Sequence, residues 1–278
     1  MPAFEHASRA TKGARNYQED NALFWSGFDV TKNACLSDAT DGAAAVAVLA
    51  DGMGGHTGGA LASRMACERF IQAFLAATGS NRERLVAALS AANRAIAETV
   101  EADPMLSGMG STLVGVTFAA DGIEWVSVGD SPLMLYRRGE VAMLNEDHSL
   151  APELDRLAAT GAISEQDAKR DPRRHMLRSA VTGDDIELID VSRRPLKVEP
   201  GDYIILASDG LQTLEAAEIA RIVTAYGDDG ADAVAAALIR AVEALKDPHQ
   251  DNATVVAVRL LPHPARETIP AETASEGD

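Results

Sequence analysis

Apolar residues along the chain fall into two kinds of run. Short blocks that are apolar at most positions, at 45–50, 111–119, 123–128, 133–138, 203–207 and 253–260, predict strands buried between layers. Longer stretches repeat at the helical period: Leu61, Met65, Phe70 and Phe74 within 59–77, then Leu85, Leu89 and Ile96 within 81–101. Two later helices are predicted at 215–225 and 230–245, and a further strand at 187–191. Asp121-Gly122 supplies a hairpin turn between the second and third strand blocks.

The segment 151–183 breaks this rhythm with a short helix at 153–160, a stop at Gly161 and a polar, basic stretch from Lys169 to His175. An insertion of that length inside a strand-rich domain is expected to form a flap. The tail after Pro262 has prolines, threonines and acids with few apolar residues, so 262–278 is expected to be disordered and 1–261 to form one catalytic domain. Strands and helices clustered with few βαβ alternations predict an α+β layered sandwich rather than a doubly wound sheet.

Composition narrows the partners. With 42 acidic against 25 basic side chains, the formal charge is −17, which disfavours nucleic acid and anionic membranes. The same charge disfavours a phosphorylated substrate unless the site concentrates positive charge, as divalent cations would. Cys35 and Cys67 have no metal-ligand or redox spacing, the residues Met1 to Arg15 lack a secretory apolar region, and no apolar run can span a bilayer, so the expected location is the cytoplasm.

The candidate chemistry lies where strands end. An apolar run meets an Asp beside a Gly at Asp51-Gly52, Gly129-Asp130 and Asp209-Gly210. Asp251-Asn252 opens the last strand, and Glu19-Asp20 precedes the run 22–25. A single Asp-Gly is a turn signal, and Asp41-Gly42 and Asp121-Gly122 are read as turns. Turn chemistry explains poorly four strand-edge acids plus a Glu-Asp pair, because a carboxylate at a buried strand end is costly unless paired or bound to a cation. Oxygen donors without supporting His or Cys suit Mg²⁺ or Mn²⁺.

These residues stand within seven ordered motifs: Gly13-Ala-Arg15-Asn-Tyr-Gln-Glu19-Asp20, Ala50-Asp51-Gly52-Met53-Gly54-Gly55-His56, Gly110-Ser111-Thr112, Val128-Gly129-Asp130-Ser131, Asp147-His148-Ser149, Ala207-Ser208-Asp209-Gly210-Leu211 and Asp251-Asn252-Ala253-Thr254. In that order the chain resembles the bacterial type-2C, metal-dependent serine/threonine protein phosphatases. The resemblance implies a four-layer αββα sandwich of two mainly antiparallel sheets, with the flap inserted. It implies two or three Mg²⁺ or Mn²⁺ ions held by Glu19, Asp20, Asp51, the Gly52 carbonyl, Asp130, Asp209 and Asp251. It also implies Arg15 as the phosphate-binding cation, phosphoproteins as substrates, and direct attack by a water that bridges two ions. The alternative of another class is a non-catalytic phosphoprotein-binding module of the same fold.

Two positions depart from the family pattern. Met53 replaces a His given a general-acid role elsewhere, and Pro132 follows Gly129-Asp130-Ser131 where Arg is usual. His56 is expected to pack locally, and His148 and Ser149 to shape the flap hinge. Arg15 also has a reading as a surface ion pair, above which its spacing to Glu19-Asp20 raises the phosphate role. Arg170, Arg173 and Arg174 could receive a phosphopeptide or form a solvated face balanced by Asp167 and Asp171. Neither Cys is followed six residues later by Arg, and no Gly-Asp-x-His-Gly or P-loop pattern occurs, which sets aside the other common phosphatase and nucleotide classes.

Overall fold

The computed structural model describes residues 3–29, 34–35 and 43–262. In chain order it runs β1 (Ala3–Thr11), β2 (Asn21–Ser26), the short pair β3 (Phe28–Asp29) and β4 (Ala34–Cys35), β5 (Ala43–Ala50) and β6 (Gly52–Met53). Helices α1 (His56–Ala76) and α2 (Asn81–Ala102) follow, then β7 (Gly110–Ser111), β8 (Leu113–Ala119), β9 (Gly122–Val128), β10 (Leu133–Arg137) and β11 (Glu140–Met143). The flap holds α3 (Ala151–Ala159) and α4 (Glu165–Arg170). After it come β12 (Asp190–Val191), β13 (Tyr203–Ala207), α5 (Ala216–Tyr226), α6 (Ala231–Leu245) and β14 (Ala253–Leu261).

Two five-stranded sheets, ordered β1-β14-β13-β10-β11 and β12-β9-β8-β5-β2, contain only antiparallel pairings. The period of two along each central strand splits it between two cores. Ala45, Ala47 and Leu49 of β5 meet Ile204, Leu206, Val256 and Val258 of the opposite sheet. Val46, Val48 and Ala50 face Phe70, Phe74, Leu85 and Leu89 of α1 and α2. On the far side Ile205, Val255 and Ala257 pack under Ile219, Val234 and Leu238 of α5 and α6. The result is the αββα sandwich, and burial on both faces is why its central strands read as unbroken apolar runs.

Boundaries shift where polar residues end an element. Helix α1 begins at His56 rather than 59, because Gly54 and Gly55 at φ +113° and +75° turn the chain directly into it. Helix α2 starts on a reciprocal cap, in which Ser80 Oγ accepts from Glu83 N and Ser80 N donates to Glu83 Oε2. The strand expected over 187–191 shrinks to two paired residues, Asp190 opposite Ser127 and Val191 opposite Val126. The block at 111–119 is split, since Ser111 pairs with Gly52 while Leu113 onward joins the sheet.

The apolar pattern does not reveal β1 and β11. Both are edge strands without a fully buried side chain among their described residues; Phe4, Ala7 and Val141 pack on the cores only in part, so no burial period marks them. The flap's second helix, α4, was likewise unmarked by apolar spacing, though Ser164 Oγ caps it by accepting from Asp167 N at 3.0 Å. Asp41-Gly42 and the tail expected to be disordered, beyond Pro262, lie outside the described residues. Cys67 is buried and free, its thiol pushed well up by burial.

Candidate metal centre

The ends of β5, β9 and β13 and the start of β14 open on one side of the sandwich. There Asp51, Asp130, Asp209 and Asp251 line a single cavity of about 610 Å³. Four acids separated by up to 200 positions in sequence therefore share one space. Flap residues His175 to Ala180 close another side, and Met53 and Thr112 complete the floor.

The backbone around Asp51 is clamped. Its carbonyl accepts from Thr112 N at 2.9 Å and Ser111 Oγ at 2.8 Å, and its N–H donates to Thr112 Oγ1 at 3.0 Å. Thr112 Oγ1 lies 2.7 Å from Ser131 Oγ, which ties the loop carrying Asp130 to the same point. Gly52 has no room for a side chain, since a Cβ there would overlap the Gly59 carbonyl of α1. Gly129 sits at φ +101°, and a Cβ there would strike Thr112.

Behind the cavity, Asp20 is buried. Its Oδ2 accepts from Ser208 Oγ at 2.7 Å, while Oδ1 is buried with no hydrogen-bond partner. A buried orphan carboxylate oxygen is costly in a protein that offers it nothing else. Burial, aided by the charge of Asp209, pushes Asp20 to about 6. Burial, with Asp209 and Asp147 beside it, pushes Asp130 to about 7. Asp209 is raised by burial and by Asp251. Asp51 is raised well above its ordinary value: burial comes first, and the charges of Asp20, Asp209, Asp130 and Asp251 all add to it.

Such mutual repulsion is what a polycation site looks like from the protein's side. Among the described residues, no group of three or more His, Cys, Asp or Glu side chains is already drawn to chelating spacing. Each acid instead takes what the chain provides: Asp251 closes on Arg15 at 2.5 Å, and Asp20 on Ser208. The donor set still fits hard divalent cations, because it is all oxygen, carries excess negative charge and includes an orphaned buried oxygen. His175 stands at the flap side and is the imidazole among the cavity-lining residues.

Not every expected residue reaches the cavity wall. Glu19, Asp20 and Gly52 lie behind it. Asp20 is linked to it by its charge on Asp51, and Glu19 by packing its carboxylate against Gly59, beside Gly52. Arg15 is half-exposed at the Asp251 ion pair and does not line the cavity, whereas Arg178 of the flap does. Arg173 pairs with Asp171 at 2.8 Å and Arg174 with Asp155 at 2.7 Å, so the flap's basic stretch is a balanced face, with Asp155 as a partner the spacing did not suggest. Asp167 is occupied with Ser164 at 2.7 Å. His148 is buried and accepts from Gly129 N at 3.2 Å, bolting the flap base beside Asp130.

Sequence reasoning missed the residues that hold the acids in place: Ser208, Gln18 and above all Asn252. Asn252 is buried; its Oδ1 accepts from Glu19 N at 2.7 Å, and its Nδ2 donates to the carbonyls of Lys12 and Tyr17, each at 3.0 Å. One side chain thus pins the loop carrying Arg15, Glu19 and Asp20 to the start of β14. Asn252→Ala removes these three bonds from side chain to backbone and is expected to cost about 3 kcal/mol in urea unfolding; a loss under ~1 kcal/mol would show that the loop is held elsewhere.

Comparison with known proteins gives the family and the fold. A family model described as protein phosphatase 2C matches residues 30–248. The serine/threonine protein phosphatase PstP of Mycobacterium tuberculosis is 32% identical over 242 residues, covering 84% of this chain and 44% of that protein. The chain thus spans less than half the length of that relative. The serine/threonine phosphatase stp of Listeria monocytogenes is 33% identical over 174 residues, 61% of this chain and 67% of that one. The crystal structure of the PstP catalytic domain in complex with two manganese ions superimposes with a TM-score of 0.71 at 28% identity, over 94% of this chain and 100% of that one.

Proposed function

We propose, from the premise that the chain belongs to the protein phosphatase 2C family, that it hydrolyses phosphoserine and phosphothreonine monoesters in proteins with the help of two or three Mg²⁺ or Mn²⁺ ions. The observation that carries this is the convergence of Asp51, Asp130, Asp209 and Asp251 on one cavity. The manganese-bound relative of the same fold supports the metal class. The catalytic unit is taken as 1–261 with its flap at 151–183. Its partners are taken as phosphoproteins of the cytoplasm, and the net charge of −17 disfavours nucleic acid and anionic membranes.

Asp51, Asp209 and Asp251 would hold the principal ions, with Glu19, Asp20 and the Gly52 carbonyl in support, and Asp130 with Asp209 would hold a third. Ions bound there would supply the positive charge that makes a water nucleophilic enough for direct attack on phosphorus, without a phosphoenzyme. The chain's own residues do the rest. Thr112 and Ser111 keep Asp51 from swinging, and Ser208 fixes Asp20. Arg15, once Asp251 is engaged by a cation, is free to take phosphoryl charge, and Arg178 offers a second guanidinium from the flap. Met53, Met176 and Leu177 line the cavity with apolar surface that strengthens these charge interactions. Met53 has no proton to give a leaving group.

Purified protein is expected to hydrolyse p-nitrophenyl phosphate and a phosphothreonine peptide with Mn²⁺, to lose the activity to EDTA, and to leave bis-p-nitrophenyl phosphate nearly untouched. Turnover that ignores chelator, or favours the diester, would overturn the reading. Tight phosphopeptide binding without turnover would replace it with the regulatory module.

A further inference from the structure

A second pocket, of about 380 Å³, shares a wall with the catalytic cavity, since Asp130 lines both. It lies between the β10–β11 hairpin and the start of α5. Its walls are Pro132, Met134, Met143, Leu214 and Ile219. Met134 and Met143 are direct cross-strand partners, and Met143 is 55% exposed, a large apolar side chain with no cover among the described residues. Gln212, on its rim, donates from Nε2 to the Asp130 carbonyl at 3.1 Å, so the pocket is built onto the loop that carries the site acid. The opposite rim is acidic, with Glu146 and Asp147 both exposed.

Pro132 is the sequence departure that the catalytic reading leaves unused. Its compact, apolar ring forms part of this wall. Paired methionines make a wall that adapts to different aliphatic shapes. We infer that the pocket is a substrate subsite: it takes a large aliphatic side chain, Leu, Ile or Met, close to the phosphorylated residue, while a Lys or Arg of the same peptide meets Glu146 and Asp147. The inference rests on the phosphatase reading and adds to it a rule for which phosphopeptides turn over fastest. The occupant is a peptide side chain rather than a free lipid or metabolite because the pocket adjoins the cavity proposed to receive the phosphoryl group, with Asp130 lining both. A residue within about three positions of the phosphothreonine reaches it along an extended chain.

The test uses the manganese-loaded protein and a phosphothreonine peptide series in which Leu or Ala is placed in turn at each of about three positions on either side. At one position Leu is expected to raise kcat/KM roughly tenfold over Ala, and Arg beside it to raise it further. Ala216 is exposed and lines the pocket, so Ala216→Trp fills the pocket without touching the core. Ala216→Trp and Pro132→Arg should each erase the Leu preference, and Ala216→Trp should leave p-nitrophenyl phosphate turnover unchanged. Glu146→Gln should weaken the Arg preference alone. Equal rates for Leu and Ala at every position, or a Leu preference that survives Ala216→Trp, would overturn the subsite. If the small monoester is not hydrolysed either, the phosphatase reading itself fails. Anisotropy with the same peptides carrying a non-hydrolysable phosphonate then still decides whether the pocket discriminates Leu from Ala.

Discussion

Asp51→Asn is expected to lower kcat/KM for a phosphothreonine peptide by about a thousandfold, with Asp209→Ala close behind. Asp51 is the acid whose charge the other four oppose, and its backbone is clamped by Ser111 and Thr112. Asn keeps the shape and those backbone bonds while removing the charge that would draw cations in. The loss should therefore appear with undiminished folding and weakened Mn²⁺ binding by calorimetry. Arg15→Ala is expected to be milder, about tenfold and mainly in KM, because under the proposed function Arg178 of the cavity wall would share the phosphate charge with it. Near-normal manganese-dependent turnover by Asp51→Asn would remove the central acid from the mechanism.

Metal-free protein is expected to lose stability as pH rises from about 5 to 7, the reverse of a protein held by ordinary ion pairs. Asp130, pushed to about 7, and Asp20, to about 6, keep protons in the folded chain at pH values where the unfolded chain has released them. Their stabilising protonation is fully present below the ordinary carboxylate range near 4 and is lost as pH climbs to those folded values, at about 1.4 kcal/mol per unit for each group. Asp51 and Asp209 act in the same direction. His6 and His148, lowered by burial, oppose them below about pH 6.5, and the lowered Asp171, at about 2, acts only in strong acid. A melting temperature about 5 °C lower at pH 8 than at pH 6 is expected without metal. Asp130→Asn should flatten that slope, and Mn²⁺ at pH 8 should restore the loss by occupying the acids. Metal-free stability that climbs steadily across this window, or indifference to Mn²⁺, would contradict the cluster.

Much of the architecture was readable because central strands are buried on both faces. β5, β8, β13 and β14 are apolar enough that no other element accounts for them, and α1 and α2 repeat at the helical period. The edge strands β1 and β11 were not readable, since their side chains are at most partly buried and give no apolar period. The candidate acids were readable as interruptions at Asp51, Asp130, Asp209 and Asp251, where an apolar run stops at a charge. Their supports were not: Asn252, Ser208 and Thr112 are common polar residues whose partners lie 19 to 240 positions away.

By itself the chain's order of residues determined the layering, the strand-end acids and the oxygen-only character of the donor set, because these depend on local periodicity and residue chemistry. Only the tertiary structure decided that four of the acids face one cavity, that Arg15 rests on Asp251 while Arg178 lines the wall, and that Pro132 lines a second pocket beside Asp130. The physical reason is that charge repulsion, burial and cavity shape are properties of side chains brought together across the whole chain, and no local window contains them.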